Sequence, residues 1–353
     1  MSAIRLLAIL VAVVAWGVDF SYRPALPGYH YSFPRDHFEH ADFRTEWWYY
    51  TGSLRSSDGK RFGFELVFFR QGQRHGEPIE NRSAWRIDDA YLAHLALTDI
   101  DGKRFYPDQR LNRAGPGVAG ASFEKRRVWN GNWSAQWSGD RQILEAIGEE
   151  FRFHFQLEPA KPLVIHGSGG VSQKAEGAGK ASHYISFPRL TVAGDLELKG
   201  ARHTVSGTAW MDHEWFTHQL EASQVGWDWF SIQLDDGREL MLFQLRTKTG
   251  RIDPYSSGTY VDTRGAAHHL TAQEFSLEPG RYWVSEKTKA QYPVSWRIRV
   301  PSLALSLQCE AMLDSQEMTG GNNYWEGAVR YSGSPGGAGY LEMTGYDKPV
   351  RMD

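Results

Sequence analysis

The strongest candidate for a chemical site is residues 210–216, with the sequence WMDHEWF, in which two acids and a histidine stand among large aromatic side chains. The composition is that of an extended strand, so alternate residues share a face. Asp212 and Glu214 then point to one side, about 7 Å apart, while His213 points to the other. We therefore take Asp212, Glu214 and His213 as the candidate catalytic residues.

Two carboxyl groups on one face can share a proton or bind a metal ion. Burial against aromatic rings raises the pKa of a carboxyl group, so one of the two could stay protonated near neutral pH and act as a general acid. The alternative is a structural role, in which both acids accept hydrogen bonds from arginine or backbone groups between two parts of the fold. Glu46 and Glu65, which lie in aromatic segments, are further candidates for acids that face a barrel interior.

Metal-dependent, nucleotide-dependent and serine-hydrolase chemistries find less support in the sequence. The residues that could ligate a metal are His203, Asp212, His213, Glu214, His218 and the pair His268 and His269. Their spacing matches no established metal-binding signature, so no metal is predicted. The sequence also lacks a nucleophile elbow, a phosphate loop and a dinucleotide fingerprint, which disfavours serine hydrolases and nucleotide-dependent enzymes. We expect no cofactor.

An internal repeat predicts the domain organisation. Residues 227–234, WDWFSIQL, follow the pattern of residues 47–54, WWYYTGSL. Each run leads through an Asp-Gly turn into a second apolar strand, and these strands, residues 62–69 and 240–245, are the second match. This is a hairpin signature used twice. Weaker matches pair residues 151–159 with 296–301, and residues 183–186 with 323–326. Four matches in the same order indicate duplication of one all-β unit, with domains at residues 35–218 and 219–353.

The remaining chain consists of short segments in which apolar residues alternate, broken by Gly, Asp, Asn and Pro, and no amphipathic helix exceeds three turns. This pattern predicts meandering antiparallel sheets that close into barrels or sandwiches. The Gly-rich residues 167–180 are predicted to form a long loop, either a lid over a barrel mouth or a plain surface loop.

Composition narrows the class of ligand. The formal charge of -3 on 353 residues, with scattered Lys and Arg, argues against a nucleic-acid partner. Aromatic residues make up 14% of the chain, including 14 Trp, which exceeds ordinary usage. In an all-β protein such an excess lines a sheet core or a cavity for an apolar ligand. A hydrophobic small molecule is therefore the expected partner.

The first residues predict export. Arg5 precedes an apolar run at residues 6–16, and Ala15 and Gly17 occupy the small-residue positions of a cleavage site. Residues 1–17 are thus predicted to be a signal peptide, with an uncleaved membrane anchor as the alternative. Because Cys309 is the single cysteine, the chain cannot form an internal disulfide. These features favour a periplasmic or secreted protein, and among these compartments a bacterial periplasm.

Several motifs resemble one known family when they are taken together. They are TEWWYYTG at residues 45–52, AHLALTD at 93–99, GTAWMDHEW at 207–215, GWDWF at 226–230 and YWEG at 324–327. The set is similar to the lipocalin-like family that includes carotenoid 1,2-hydratases and the AttH-type "predicted secreted hydrolases". The resemblance covers nearly the whole mature chain and implies two consecutive lipocalin-like antiparallel barrels.

For the hydratase branch, the resemblance implies cofactor-free, acid-catalysed addition of water to an isoprenoid double bond. It places the proton donor at Asp212, with Trp210 and Trp227 as walls that stabilise a carbocation. Ligand contacts are expected at Trp47, Tyr49, His94, Trp210, Trp227, Trp229 and Tyr324. His94 has an alternative role as a hydrogen-bonded core residue. The AttH-type branch instead implies a non-catalytic carrier that works with inner-membrane ABC transporter components.

Overall fold

The computed structural model describes residues 22–73, 87–115, 117–321 and 323–350. The predicted signal peptide at residues 1–17 lies outside these ranges. Nearly all regular structure in them is β-strand, and the described helical segments are two short 3-10 turns, Arg35–His37 and Pro301–Leu303. No described helix is long and apolar enough to cross a membrane.

The first sheet contains thirteen antiparallel strands in the order β4-β3-β2-β1-β13-β12-β9-β8-β7-β6-β5, with β10 and β11 attached to β12. Its strands are β1 Thr45–Ser56, β2 Arg61–Gly72, β3 Asp89–Asp99, β4 Arg104–Arg113, β5 Ala119–Ser122, β6 Arg127–Asn130, β7 Trp133–Ser138, β8 Arg141–Ile147, β9 Phe151–Pro159, β10 Val164–Ile165, β11 Ser172–Gln173, β12 Ala181–Leu198 and β13 Ala201–Phe216. Asn130 of β6 donates hydrogen bonds to the Tyr91 carbonyl (3.0 Å) and accepts one from Asn112 of β4 (2.6 Å), which draws the two ends of the sheet together into a barrel.

The second sheet has the order β17-β16-β15-β14-β25-β24-β22-β21-β18, with β23 attached to β24, and β19 and β20 form a separate hairpin. Its strands are β14 Gln224–Leu234, β15 Glu239–Thr247, β16 Ser257–Val261, β17 Ala267–Thr271, β18 Ser276–Pro279, β19 Tyr282–Val284, β20 Gln291–Pro293, β21 Ser295–Val300, β22 Leu305–Ala311, β23 Glu317–Met318, β24 Tyr324–Gly333 and β25 Gly337–Thr344. This arrangement confirms the predicted fold class, an all-β chain with two lipocalin-like barrels.

Both sheets follow one topology. In each, four consecutive strands form a meander whose first strand also pairs with the last strand of the unit, β1 with β13 and β14 with β25. The sequence match between β1 and β14 therefore corresponds to equivalent strands, as does the match between β12 and β24. The weaker match of residues 151–159 with 296–301 is wrong, because it pairs β9 with β21, whereas sheet position equates β9 with β22. Alternation of apolar residues is common to all of these strands, so a six-residue match cannot fix the strand correspondence.

The strands nearest the contact between the barrels bury both of their faces. On β1, Trp48 and Tyr50 belong to the core of the first barrel. Tyr49, on the opposite face, packs with Trp210 of β13 and with Trp229 of β14 in a separate cluster between the two barrels. The outer faces of the barrels thus form a third apolar layer, and this layer positions the candidate site.

Candidate active site between the two barrels

A cavity of about 820 Å³ lies between the outer faces of the two barrels. Its volume is in the range of small-molecule sites. Aromatic, aliphatic, acidic and basic side chains line it, and they include Trp47, Tyr49, Phe69, Leu92, His94, Lys174, Tyr184, Asp212, Glu214, Gln219, Leu220, Trp227, Trp229, Phe243, Leu245, Tyr324 and Glu342. Acids facing a barrel interior and a lid over a barrel mouth were predicted, whereas this cavity lies between the two barrels.

Asp212 stands on the cavity wall with its carboxyl group almost fully buried, 3% exposed. Oδ2 accepts a hydrogen bond from the Tyr184 hydroxyl (2.6 Å), and Oδ1 accepts bonds from the Trp210 indole N–H (2.5 Å) and the Ser186 hydroxyl. Burial raises the pKa of Asp212 to about 7, because these three hydrogen bonds only partly offset it and the nearby Glu214 adds to the rise. Both protonation states of this carboxyl are therefore accessible near neutral pH.

Glu214 lies on the same face of β13, as the alternation predicted, and also lines the cavity. Its Oε1 accepts hydrogen bonds from Gln219 (2.8 Å) and from the Ser182 hydroxyl, with the Lys174 ammonium 3.5 Å away. Burial raises the pKa of Glu214, and Lys174 opposes that rise. Lys174 belongs to the Gly-rich residues 167–180, so this stretch forms part of the cavity wall.

Glu342 on β25 is the counterpart of Asp212 in the second barrel. Asp212 pairs with Tyr49 across β13 and β1, and Glu342 pairs with Trp229 across β25 and β14, at the equivalent position of the repeat. Its Oε1 accepts a hydrogen bond from the Trp227 indole N–H (3.0 Å). Burial between the barrels raises the pKa of Glu342 to about 8. Glu342 is not among the residues predicted from the sequence, although the β1 and β14 match, extended to the last strand of each unit, points to this position.

Three residues of the cavity wall, His94, Tyr324 and Tyr49, connect it to two deeper acids, Glu65 and Glu326. The Tyr324 hydroxyl lies 2.6 Å from His94 Nδ1 and 2.9 Å from Glu65 Oε1, and the Tyr49 hydroxyl donates to Glu326. Burial raises the pKa of Glu65 to about 8 and raises that of Glu326 well above its ordinary value. Burial also lowers the pKa of His94 to about 4, so the imidazole is neutral at physiological pH. Glu65 therefore lies behind the cavity wall, in a network between the barrels, and does not face the interior of the first barrel.

The structure places six of the seven predicted ligand-contact residues on the cavity wall, namely Trp47, Tyr49, His94, Trp227, Trp229 and Tyr324. Trp210 is not among the lining residues. Its ring packs edge to face against Trp229, with centroids 6.2 Å apart, and its indole N–H is directed at Asp212. Trp210 therefore supports the acid from behind the wall.

His213 faces away from the cavity, on the other side of β13. Its Nε2 lies 2.8 Å from Glu46 Oε1, and His40 Nδ1 lies 2.7 Å from the same oxygen. Arg70 donates to Glu46 Oε2 (3.1 Å). Burial alone would raise the pKa of Glu46, but these three partners lower it below its ordinary value. Glu46 is thus the centre of a buried ion-pair network, and neither it nor His213 can touch a ligand in the cavity.

Glu46 and its two histidine partners, His40 and His213, could in principle hold a metal ion. In the described part of the chain they are the one group of three or more His, Cys, Asp or Glu residues whose ligand atoms all lie within 4.8 Å of one another. A guanidinium group in contact with the carboxylate opposes a metal cation at this position. The hydrogen bonds already satisfy both oxygens of Glu46. The geometry therefore fits an ion-pair network better than a metal centre.

Comparison with known proteins supports the fold and the family. The profile of the AttH-like family matches residues 24–346. A protein assigned to AttH from Nitrosomonas europaea is 36% identical in sequence, and the structural match covers 92% of this chain and 99% of that protein with a TM-score of 0.83. Kievitone hydratase from Nectria haematococca shares the fold at 14% identity, over 93% of this chain and 99% of the hydratase, with a TM-score of 0.68.

A more distant relative is the dehydratase asqC of Emericella nidulans, which is 22% identical over 183 residues. The match covers 49% of this chain and 50% of the dehydratase, so the chain spans about half the length of that relative. The resemblance read from the sequence motifs is confirmed by the match over residues 24–346: the chain belongs to the AttH-like family.

Proposed function

We propose that the protein binds an elongated apolar molecule, isoprenoid or lipid-like, between its barrels and hydrates a carbon–carbon double bond of that molecule without a cofactor. Such an enzyme is a hydro-lyase, and it also catalyses the reverse dehydration. The observation that carries the proposal is Asp212, a buried acid with a pKa of about 7 on the wall of an aromatic cavity. The hydratase and the dehydratase among the distant relatives are consistent with this chemistry.

The proposed reaction begins when Asp212 transfers its proton to one alkene carbon, which leaves a carbocation at the other. The faces of Trp227 and Trp229 stabilise that cation. The new carboxylate of Asp212 is stabilised by the hydroxyls of Tyr184 and Ser186 and by the Trp210 N–H. Water then adds to the cation, and the proton that it loses restores the neutral acid. The sum is one alkene and one water giving one alcohol.

Incubation in water labelled with ¹⁸O tests the proposal. Farnesol and other isoprenoid alkenes are supplied as substrates, and mass spectrometry detects a product that has gained one labelled water. Asp212→Asn should lower the turnover by at least about 100-fold while ligand binding is retained, because the amide cannot donate a comparable proton. The wild-type rate should decline above about pH 7, as the donor ionises.

A matched control is Glu317→Gln, which changes a buried carboxyl of the second barrel outside the cavity; Glu317 accepts hydrogen bonds from Tyr292 and Thr288. This variant should keep the wild-type turnover. Full activity of Asp212→Asn would remove Asp212 as the donor and make Glu214 or Glu342 the next candidate.

The second proposed function is that of a non-catalytic carrier. The aromatic walls of the cavity favour it, because they offer apolar contact for a ligand whether or not chemistry follows. Under this proposal the protein is exported to the periplasm and passes its ligand to an inner-membrane ABC transporter. Saturable binding of the same isoprenoids, with no labelled product and no difference between wild type and Asp212→Asn, would favour the carrier over the hydratase.

A further inference from the structure

A chain of hydrogen bonds leads from Asp212 into the second barrel. Ser186 of β12 lies directly opposite Asp212 on β13 and donates to its Oδ1. His166 Nε2 lies 2.6 Å from the Ser186 oxygen, and His166 Nδ1 lies 2.8 Å from the hydroxyl oxygen of Thr259 on β16. Ser186, His166 and Thr259 are each at most 2% exposed. None of them lines the cavity as described, so none is expected to touch a ligand.

The number of protons fixes the direction of this chain when Asp212 is ionised. Ser186 has one hydroxyl proton, and it is directed at the carboxylate. The Ser186 oxygen must then accept a hydrogen bond from His166, which places the imidazole proton on Nε2. Nδ1 is left as an acceptor, and the Thr259 hydroxyl supplies its donor. Burial, together with Lys174 and His269, lowers the pKa of His166 to about 3, so the imidazole carries a single ring proton at neutral pH.

We infer that Thr259 and His166 hold the Ser186 hydroxyl in the orientation that donates to Asp212, and thereby act as positioning residues for the proton donor. Their importance for catalysis rests on the proposed function, whereas the orientation of the hydrogen bonds does not. The second barrel thus orients a hydrogen-bond donor to the Asp212 carboxyl through Thr259, in addition to supplying part of the cavity wall.

The inference predicts how the Asp212 titration responds to changes in the chain. Ser186→Ala removes one donor to the carboxylate, so the midpoint should move upward by about 1 pH unit. Thr259→Val keeps the side-chain shape but removes the donor to Nδ1, which allows the other imidazole tautomer and turns part of the Ser186 population away from Asp212. A smaller shift in the same direction is expected. Thr259→Ser keeps the hydroxyl and should titrate like the wild type.

Infrared difference spectroscopy of the whole protein measures this midpoint without a substrate, and the Asp212 carboxyl band is identified by its absence in Asp212→Asn. The other ionisable groups that face the chain stay unchanged in these variants: Glu214, Glu342, Glu326, Lys174 and His269. The double variant Thr259→Val/Ser186→Ala should titrate like Ser186→Ala alone, because Thr259 acts only through Ser186. Nitrogen NMR of ¹⁵N-labelled histidine reports the tautomer of His166 in the wild type directly.

The inference is supported by a proton on Nε2 in the wild type above the Asp212 midpoint, together with shifts that do not add. It is overturned by a proton on Nδ1 in the wild type, by an unshifted midpoint in Thr259→Val, or by a Thr259→Val shift of equal size in the Ser186→Ala background. Since these readouts do not need turnover, they distinguish a failure of this inference from a failure of the proposed hydratase activity.

Discussion

Asp212→Asn should make the protein more stable at alkaline pH. The pKa of Asp212 rises from its ordinary value of 3.8 to about 7, chiefly because the folded protein buries the carboxyl. An acid with a raised pKa holds its proton more tightly in the folded state than in the unfolded one. Its contribution to stability is therefore fully present at low pH and is lost as the pH rises towards 7. The amide of asparagine keeps the shape of the neutral acid and never ionises.

The size of the effect follows from the two pKa values. One pKa unit corresponds to about 1.4 kcal/mol, so ionising Asp212 in the folded state costs about 4 kcal/mol in total. About 2.5 kcal/mol of this loss falls between about pH 5 and about pH 8, because the earlier part is already lost between about pH 4 and about pH 5. The free energy of unfolding of Asp212→Asn, minus that of the wild type, should therefore grow by about 2.5 kcal/mol between about pH 5 and about pH 8.

Urea unfolding monitored by tryptophan fluorescence gives both free energies at each pH. Other titrating groups cancel when the two proteins are compared at the same pH. Glu197→Gln is a suitable surface control, since Arg152 lowers the pKa of Glu197 and the carboxyl is ionised in both states over this range. Its difference from the wild type should not change with pH. A constant difference for Asp212→Asn would show that Asp212 is an ordinary ionised acid and would refute the reasoning about a buried proton donor.

Three further predictions concern other parts of the molecule. Glu46→Gln should lower the free energy of unfolding at neutral pH by about 3–5 kcal/mol in the urea assay, because its buried cationic partners lose their counter-charge; Glu317→Gln, which has no arginine partner in the described contacts, should cost less. A polyene or fatty acid should bind with a Kd below about 100 μM, which is about 5 kcal/mol of binding free energy, and should quench tryptophan emission saturably. The quenching should be weaker in Trp229→Phe than in the core variant Trp296→Phe, and absence of binding would count against the cavity. Mass spectrometry of a periplasmic extract should find a chain that begins near Val18, whereas an intact Met1 in the membrane fraction would establish an anchor.

The sequence predicted those features that depend on the two-residue alternation of a β-strand or on its repetition. Alternation on β13 correctly placed Asp212 and Glu214 on one face and His213 on the other, since a strand of known direction has only two faces. Repetition of the β1 pattern in β14 correctly indicated two equivalent barrels. These features depend on residues close together in the chain.

The location of the cavity could not be read in the same way. On β1 both Tyr49 and Trp48 are buried, so hydrophobicity does not tell which face points into the barrel and which points at the other barrel. The residues that complete the site come from distant strands: Glu342 lies 130 positions after Asp212, in a segment without a distinctive motif. Thr259 could not be assigned to the site from the sequence, because its contact with His166 depends on how the second barrel packs against the first.

The environment of each acid separates structural carboxylates from a proton donor in this fold. Glu46 and Asp212 lie on the paired strands β1 and β13, and both are buried. Glu46 has a guanidinium and two imidazoles as partners, so it remains ionised. The described hydrogen bonds to Asp212 come only from neutral donors, two hydroxyls and an indole.

Neutral donors stabilise a carboxylate less than a cation does, so they leave the pKa of Asp212 near neutrality instead of far below it. The structural alternative for Asp212 was a network of hydrogen bonds from arginine or backbone groups, whereas its described donors are the side chains of Tyr184, Ser186 and Trp210, and Arg70 is paired with Glu46. The alternation of β13 thus divides two roles between adjacent residues: His213 joins the hydrogen-bonded network around Glu46, and Asp212 has the neutral donors that suit an acid able to release and recover its proton.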